Sequence, residues 1–218
     1  AMARSAQRTS VPVALHLDHG HTYEGVMKAV RWGFTSVMFD GSALSLADNL
    51  KKTKEITRIA HSLGISVEGE LGYIGQSEAA ADLPPAEAIT AEIAADFVTK
   101  TKIDALAVAV GTNHGAVKVT GGLNIMRLAE LNHLVDVPLV LHGGSKLSRE
   151  DCRLVIDNGI SKINIAPDMS LSAAERLKIE LAKAPAANYI HLMTNKKKGV
   201  KDLVRKYMLN FDCISRAI

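Results

Sequence analysis

One pattern repeats along this chain and limits what it can become. A short apolar run ends in polar or glycine residues, and an amphipathic segment at helical spacing follows. The runs are VPVALHLD (11–18), FTSVMFD (34–40), ISVEGEL (65–71), DALAVAVG (104–111), VPLVLHGG (137–144) and SKINIA (161–166). Between them, Asp48 to His61 carries apolar residues at helical spacing and stops near Gly64. Ala91 to Thr101 and Ile125 to Leu134 fill two further gaps, and Ser148 is placed as the N-cap of another helix. Strands that alternate with helices make a parallel sheet covered by helices. The near-continuous apolar character of VPLVL and LAVAV predicts strands buried on both faces.

Such a sheet can stay open and doubly wound, or curl into a (β/α) barrel. The polar residues favour the barrel, because they stand at the C-terminal ends of several different strands rather than at one switch point. The expected fold is therefore an α/β (β/α)8 TIM barrel. Six strand-like runs are found where eight are expected, and residues 1–10 read as the end of a helix. The first two βα units are thus expected to be missing from this chain. Residues 1–218 read as a single barrel domain, with residues 188–218 as a C-terminal helical tail packing on it.

Bulk properties exclude several classes of function. Aromatic residues are only 4% of the chain, so the core must be built from Ala, Val, Leu and Ile. A formal charge of +3 is too small to imply a nucleic-acid partner. Lys196-Lys197-Lys198 reads as the solvated face of a helix. No apolar run approaches the roughly 18 residues of a membrane span, and no signal peptide is visible. Cys152 and Cys213 show no CxxC spacing, so a disulfide or zinc-thiolate framework is not expected and a reducing cytoplasm is.

The strand ends carry the chemistry. The apolar run 11–15 reads as a buried strand and leads directly into His16, Asp18 and His19, and buried ionisable groups of this kind must be paired, neutralised or bound to a metal. His19, His114 and His142 are each followed by glycine in the same topological position, which lets the backbone approach a ligand closely. Three imidazoles with one open coordination position suit a catalytic zinc ion. His16 shares a strand face with Asp18 by period two and reads as a supporting neighbour. His21, His61, His133 and His191 read as surface or packing residues. Asp18, beside a dication, would stay ionised or shuttle protons. Glu70 is a fourth or alternate metal ligand, and Glu68 a buried partner of a neighbouring polar group. Residues 72–85 are rich in Gly, Ala and Pro and read as a flap, on which Glu78 could be delivered as a base. Gly115 and Gly143-Gly144-Ser145 suit a phosphate held on backbone N–H groups, with Lys118 and Lys146 close by in sequence.

HLDHG, SVMFDGS, EGELG, GTNHG with its following lysine, PLVLHGGS and KINI stand in the order seen in class II, zinc-dependent ketose-bisphosphate aldolases. The sequence is most similar to the fructose- and tagatose-bisphosphate branch of that family, from about residue 5 to the C-terminal helix. The resemblance implies a (β/α)8 barrel that forms homodimers or homotetramers. It implies one Zn2+ per chain on His19, His114 and His142, with Glu70 and Asp40 serving an alternate zinc position. It implies Asp18 as acid/base and Glu78 as the flap carboxylate that moves the substrate proton. A sodium or potassium ion and a phosphate would be held around Gly115, Gly143 and Ser145, and Asn164 would contact the enediolate or its precursor.

The implied activity is reversible cleavage of a phosphorylated ketose, such as fructose or tagatose 1,6-bisphosphate, to dihydroxyacetone phosphate and an aldehyde. Two departures touch the phosphate pocket. Ala166-Pro167 stands where the family offers a hydroxyl or acidic group, and Lys146 where a small or acidic residue is common. Alternatives are an aldolase for another phosphorylated ketose or sugar acid, a non-catalytic chaperone-like subunit of an aldolase complex, and a metal-free phosphate-binding isomerase.

Overall fold

The computed structural model describes residues 2–72, 89–111, 122–145 and 147–214. After a short helix α1 (Met2–Ala6), strands and helices alternate: β1 (His16–Gly20), α2 (Tyr23–Arg31), β2 (Ser36–Phe39), α3 (Leu46–Ser62), β3 (Ser66–Leu71), α4 (Ala91–Thr101), β4 (Ala105–Val108), α5 (Ile125–Leu134), β5 (Leu139–Leu141), α6 (Arg149–Asp157) and β6 (Ile160–Ile163). Two long helices follow, α7 (Pro167–Lys183) and α8 (Tyr189–Asn210), and α8 lies along α7 and touches α6. Side-chain caps start most of the helices. Thr22, Ser45, Thr90, Asn124 and Asn188 each accept a backbone N–H, and Ser148 forms a capping box with Asp151.

All six strands are parallel and pair in chain order. The sheet curls. At a strand spacing of about 4.8 Å, a flat sheet would hold β1 and β6 about 24 Å apart. Yet Asn164, just beyond β6, donates from Nδ2 to Asp18 Oδ1 of β1 at 3.0 Å. The strands therefore form an arc that closes on its concave side through side chains. β1 and β6 do not pair with each other among the described residues, so the sheet is a curled, partial barrel of six strands, in keeping with the six strand-like runs of the sequence.

The two faces of the arc differ sharply. Val37, Phe39, Val67, Leu71, Leu106, Val108, Leu139 and Leu141 point outward into one core shared with the helices. The concave side holds only a small apolar layer of Met38, Ala107 and Val140. The rest of its lining is polar, and this is where the site lies.

The first strand departs from expectation. The apolar run 11–15 was expected to be buried, but Val11 and Val13 are about half exposed and pairing begins only at His16. Pro12 has no N–H to give a ladder, and β1 has a neighbour on one side only. β1 also carries a bulge. Leu17 faces Val37 and Gly20 faces Phe39, so Asp18 and His19 together stand opposite Met38. His19 takes a left-handed φ of 49° to allow this, a conformation that costs on the order of 1–2 kcal/mol for an L-residue.

Gly20 closes the bulge under tight constraint. A Cβ there would lie 2.6 Å from the Met38 carbonyl oxygen and 2.7 Å from Val26 Cγ2. Gly20→Ala is expected to destabilise the protein by about 1–3 kcal/mol. Urea titration measures this, and an unchanged midpoint would show that the bulge has slack.

Candidate metal centre and active site

The bulge decides what β1 presents. In a regular strand Asp18 and His19 would face opposite sides. With the extra residue and the left-handed turn, both reach the concave side. His19 Nε2 lies 3.0 Å from Nδ1 of His142, which follows β5 and is fully buried. Asp18 Oδ1 lies 4.0 Å from His19 Nε2 at the open rim.

Each imidazole is held from behind by a carboxylate. Asp40, following β2, bonds His19 Nδ1 at 2.8 Å, and Glu68 of β3 bonds His142 Nε2 at 2.9 Å. Carboxylates in this position fix ring orientation and leave the opposite nitrogen for a metal. Burial alone would push the Asp40 carboxyl up, but the hydrogen bonds from His19 and Ser42 outweigh it and hold it at about 2. The bond from Asp40 in turn raises the His19 imidazole, against the opposing effect of burial, with Asp18 and Glu70 adding to the rise. Burial likewise disfavours ionised Glu68, yet the bond with His142 and the charge of Lys162 bring its carboxyl below the ordinary value.

Glu70 is the exception. Among the described residues its buried Oε2 has no hydrogen-bond partner, and it lies 3.9 Å from both His19 Nδ1 and His142 Nδ1. Burial, reinforced by the charge of Asp40, pushes its carboxyl up to about 8. A buried carboxylate oxygen left over in this way beside two imidazoles is satisfied by a cation.

The donor spacing fits one. Two nitrogens on a tetrahedral zinc ion stand about 3.3 Å apart when each Zn–N bond is about 2.05 Å, and the observed separation is 3.0 Å. Two overlapping triads, Asp18–His19–His142 and His19–Asp40–Glu70, keep their ligand atoms within 4.8 Å of one another.

Glu70→Gln separates fold from function here. In chelator-treated protein the substitution is expected to leave the melting temperature equal or higher, because an unpaired buried acid is removed. The variant is expected to bind zinc more weakly. A lower melting temperature with unchanged zinc affinity would show that Glu70 serves the fold and not the ion.

The sequence-derived set divides as follows. The structure brings together Asp18, His19, Asp40, Glu70, His142 and Asn164. Gly143 and Ser145 follow His142, and Ser145 Oγ accepts the N–H of Asp168 at 3.4 Å. Glu78, His114, Gly115, Lys118 and Lys146 lie outside the described residues.

His16 bonds Ser36 Oγ through Nδ1 at 2.8 Å and places Nε2 3.5 Å from Glu68 Oε2. Burial lowers its pKa, with Lys162 and His142 adding to the effect.

Three participants escaped the sequence reading. His21, read as surface or packing, stacks near His19 with ring centroids 6.0 Å apart and reaches within 3.5 Å of Asp40. Asn49, buried on α3, donates to the backbone oxygen of Glu70 at 2.9 Å and so fixes the end of β3. Lys162 donates to Glu68 Oε2 at 2.9 Å and to Asn164 Oδ1 at 2.7 Å. Period-two spacing already placed Lys162 on the face of Asn164 and was the available signal.

Residues 1–216 match the model of the family described as fructose-bisphosphate aldolase class-II. The chain belongs to that family.

Among solved structures of similar shape is the YdjI aldolase from Escherichia coli K12, 33% identical with a TM-score of 0.82, covering 100% of this chain and 75% of that one. A candidate fructose-1,6-bisphosphate aldolase from Coccidioides immitis is 28% identical with a TM-score of 0.86, covering 98% and 76%. Fructose-bisphosphate aldolase from Campylobacter jejuni, 22% identical with a TM-score of 0.74 over 93% and 71%, shares the fold. Membership of an aldolase family agrees with a site built from imidazoles and carboxylates at strand ends. Among the described residues of this class-II family member, no helix is long and apolar enough to cross a membrane.

Proposed function

We propose that this protein is a zinc-dependent aldolase of the (β/α)8 type, with residues 1–218 as one barrel domain and 188–218 as its helical tail. It reversibly cleaves a phosphorylated ketose, of the fructose or tagatose 1,6-bisphosphate kind, to dihydroxyacetone phosphate and an aldehyde. One observation carries this reading. Two imidazoles from distant strands meet nitrogen to nitrogen, each backed by a carboxylate, with an acid at the rim beside them.

His19 and His142 would hold the zinc, joined by His114, with Glu70 and Asp40 serving an alternate position. Zinc bound there supplies Lewis acidity toward the substrate's carbonyl oxygen. Everything else falls to the chain. Asp18 is half exposed and tethered by Asn164, and it takes the proton of the C4 hydroxyl as the C3–C4 bond breaks. Asn164 presents its amide to the three-carbon fragment that remains, and Glu78 returns a proton to that fragment. The backbone of Gly143 and Ser145, with Gly115 and Lys118, receives a phosphate, and a sodium or potassium ion belongs beside it. Exposed Leu171, Tyr189, Ile190 and Leu209 on α7 and α8 offer apolar surface for a homodimer or homotetramer. Action in the cytoplasm on small phosphorylated metabolites completes the reading.

The test is a panel of ketose phosphates assayed for dihydroxyacetone phosphate release, before and after EDTA and again after zinc is restored. Cleavage that is lost with EDTA and regained with zinc supports the reading. Full activity after exhaustive chelation would sink it, as would no release from any ketose phosphate by the zinc-loaded protein.

A further inference from the structure

Lys162 sits on the edge strand β6, where the register shifts so that Ile160 faces Leu139 and Lys162 faces Val140. The extra residue turns Lys162 inward, as the β1 bulge turns His19. From there its ammonium group reaches two residues that serve different ends of the site. One is Glu68, whose other oxygen holds His142. The second is Asn164, whose amide nitrogen holds Asp18. The chain His142–Glu68–Lys162–Asn164–Asp18 is continuous, with every link between 2.7 and 3.0 Å.

The donor chemistry fixes its direction. An ammonium group only donates, so the Asn164 atom facing Lys162 must be the oxygen. That leaves the NH2 group, and not the oxygen, facing the Asp18 carboxylate at 3.0 Å, with the same nitrogen 3.3 Å from His142 Nε2. Without Lys162 the amide could turn over and set its oxygen against that carboxylate, which repels it. Glu68, bonded to Lys162 on one oxygen, accepts from His142 Nε2–H on the other, so that the lone pair of His142 Nδ1 is the one turned toward the metal centre. We propose that Lys162 is a positioning residue that sets the Asn164 amide for Asp18 and the His142 tautomer for the metal at once.

This inference rests on the aldolase reading. Its test compares wild type, Lys162→Met, Asn164→Ala and the double variant by kcat for ketose-bisphosphate cleavage. The same proteins are loaded with cobalt(II), and the visible absorption band and retention against a competing chelator are recorded. Lys162→Met is expected to lower kcat about 10–100-fold and cobalt affinity about tenfold, the range for losing a group that orients a ligand. In the Asn164→Ala background the kcat loss is expected to shrink below about threefold, because the two residues act as a unit, while most of the cobalt effect, which runs through Glu68 to His142, remains.

A kcat loss of equal size in both backgrounds would overturn the proposal, as would kcat and cobalt binding within twofold of wild type in Lys162→Met. Should that variant not fold, Lys162→Gln, which still donates but carries no charge, takes its place in the same comparison. If wild type cleaves no phosphorylated ketose, the aldolase reading fails by itself. The cobalt band then decides on Lys162: a shifted band supports its hold on Glu68 and His142, and an unshifted one overturns it.

Discussion

Replacing His142 with glutamine is expected to cost zinc affinity on the order of 1000-fold and to leave cleavage activity undetectable at stoichiometric metal. Loss of a carboxylate that merely orients a ligand costs about 10–100-fold, and loss of the ligand itself should exceed that. His142 is fully buried, with Nδ1 on His19 and Nε2 on Glu68. Glutamine is preferred to alanine because its amide can still donate toward Glu68 Oε1. Alanine would leave that buried oxygen without its donor and confuse lost metal with lost stability. Metal content after dialysis and the melting temperature of chelated protein are the two measurements. Zinc content near that of wild type would remove His142 from the metal centre, whatever the activity.

How much of this could be read from the sequence depends on which interactions set each feature. Helices α4 and α5 were legible to the residue, and Ser148 as a cap, because helical periodicity and capping act within a few positions. The alternation of strands and helices was legible from the same kind of local pattern. β1 was not, since apolar character alone cannot show that Val11 and Val13 lack a covering partner. From sequence alone, Asp18 and His19, adjacent and on opposite strand faces, both reach one site only where the strand is ending. The structure gives a bulge within the strand instead, and a bulge is a relation between two strands that neither segment encodes by itself. Lys162 shows the same limit. Its face, shared with Asn164, followed from period two, but its partner Glu68, 94 residues away, comes within reach only because the sheet curls. Glu68 itself was legible as a buried partner because a carboxylate in the middle of an apolar strand demands one.

Asp18→Asn separates the acid/base from the metal centre, and it is expected to lower kcat for cleavage about 100–10,000-fold, the contribution of a positioned proton acceptor. The substitution keeps shape and removes only the basic oxygen. Asp18 lies at the rim with its side chain 49% exposed, so stability should change by no more than about 0.5 kcal/mol. Zinc content should stay near wild type, because His19 and His142 keep their own carboxylates and the asparagine still offers an oxygen at the rim. KM should move little, since the hydroxyl that Asp18 deprotonates is held in the ground state by other groups as well. A finer consequence follows from the division of labour. On the proposed mechanism, exchange of dihydroxyacetone phosphate hydrogen with deuterium from solvent would draw on Glu78 and the metal centre and would break no C3–C4 bond. The asparagine variant should therefore keep much of that exchange while losing cleavage. Cleavage within threefold of wild type would dismiss Asp18 as the base. Loss of exchange in parallel with cleavage would show that Asp18 acts through the metal centre rather than on the hydroxyl proton.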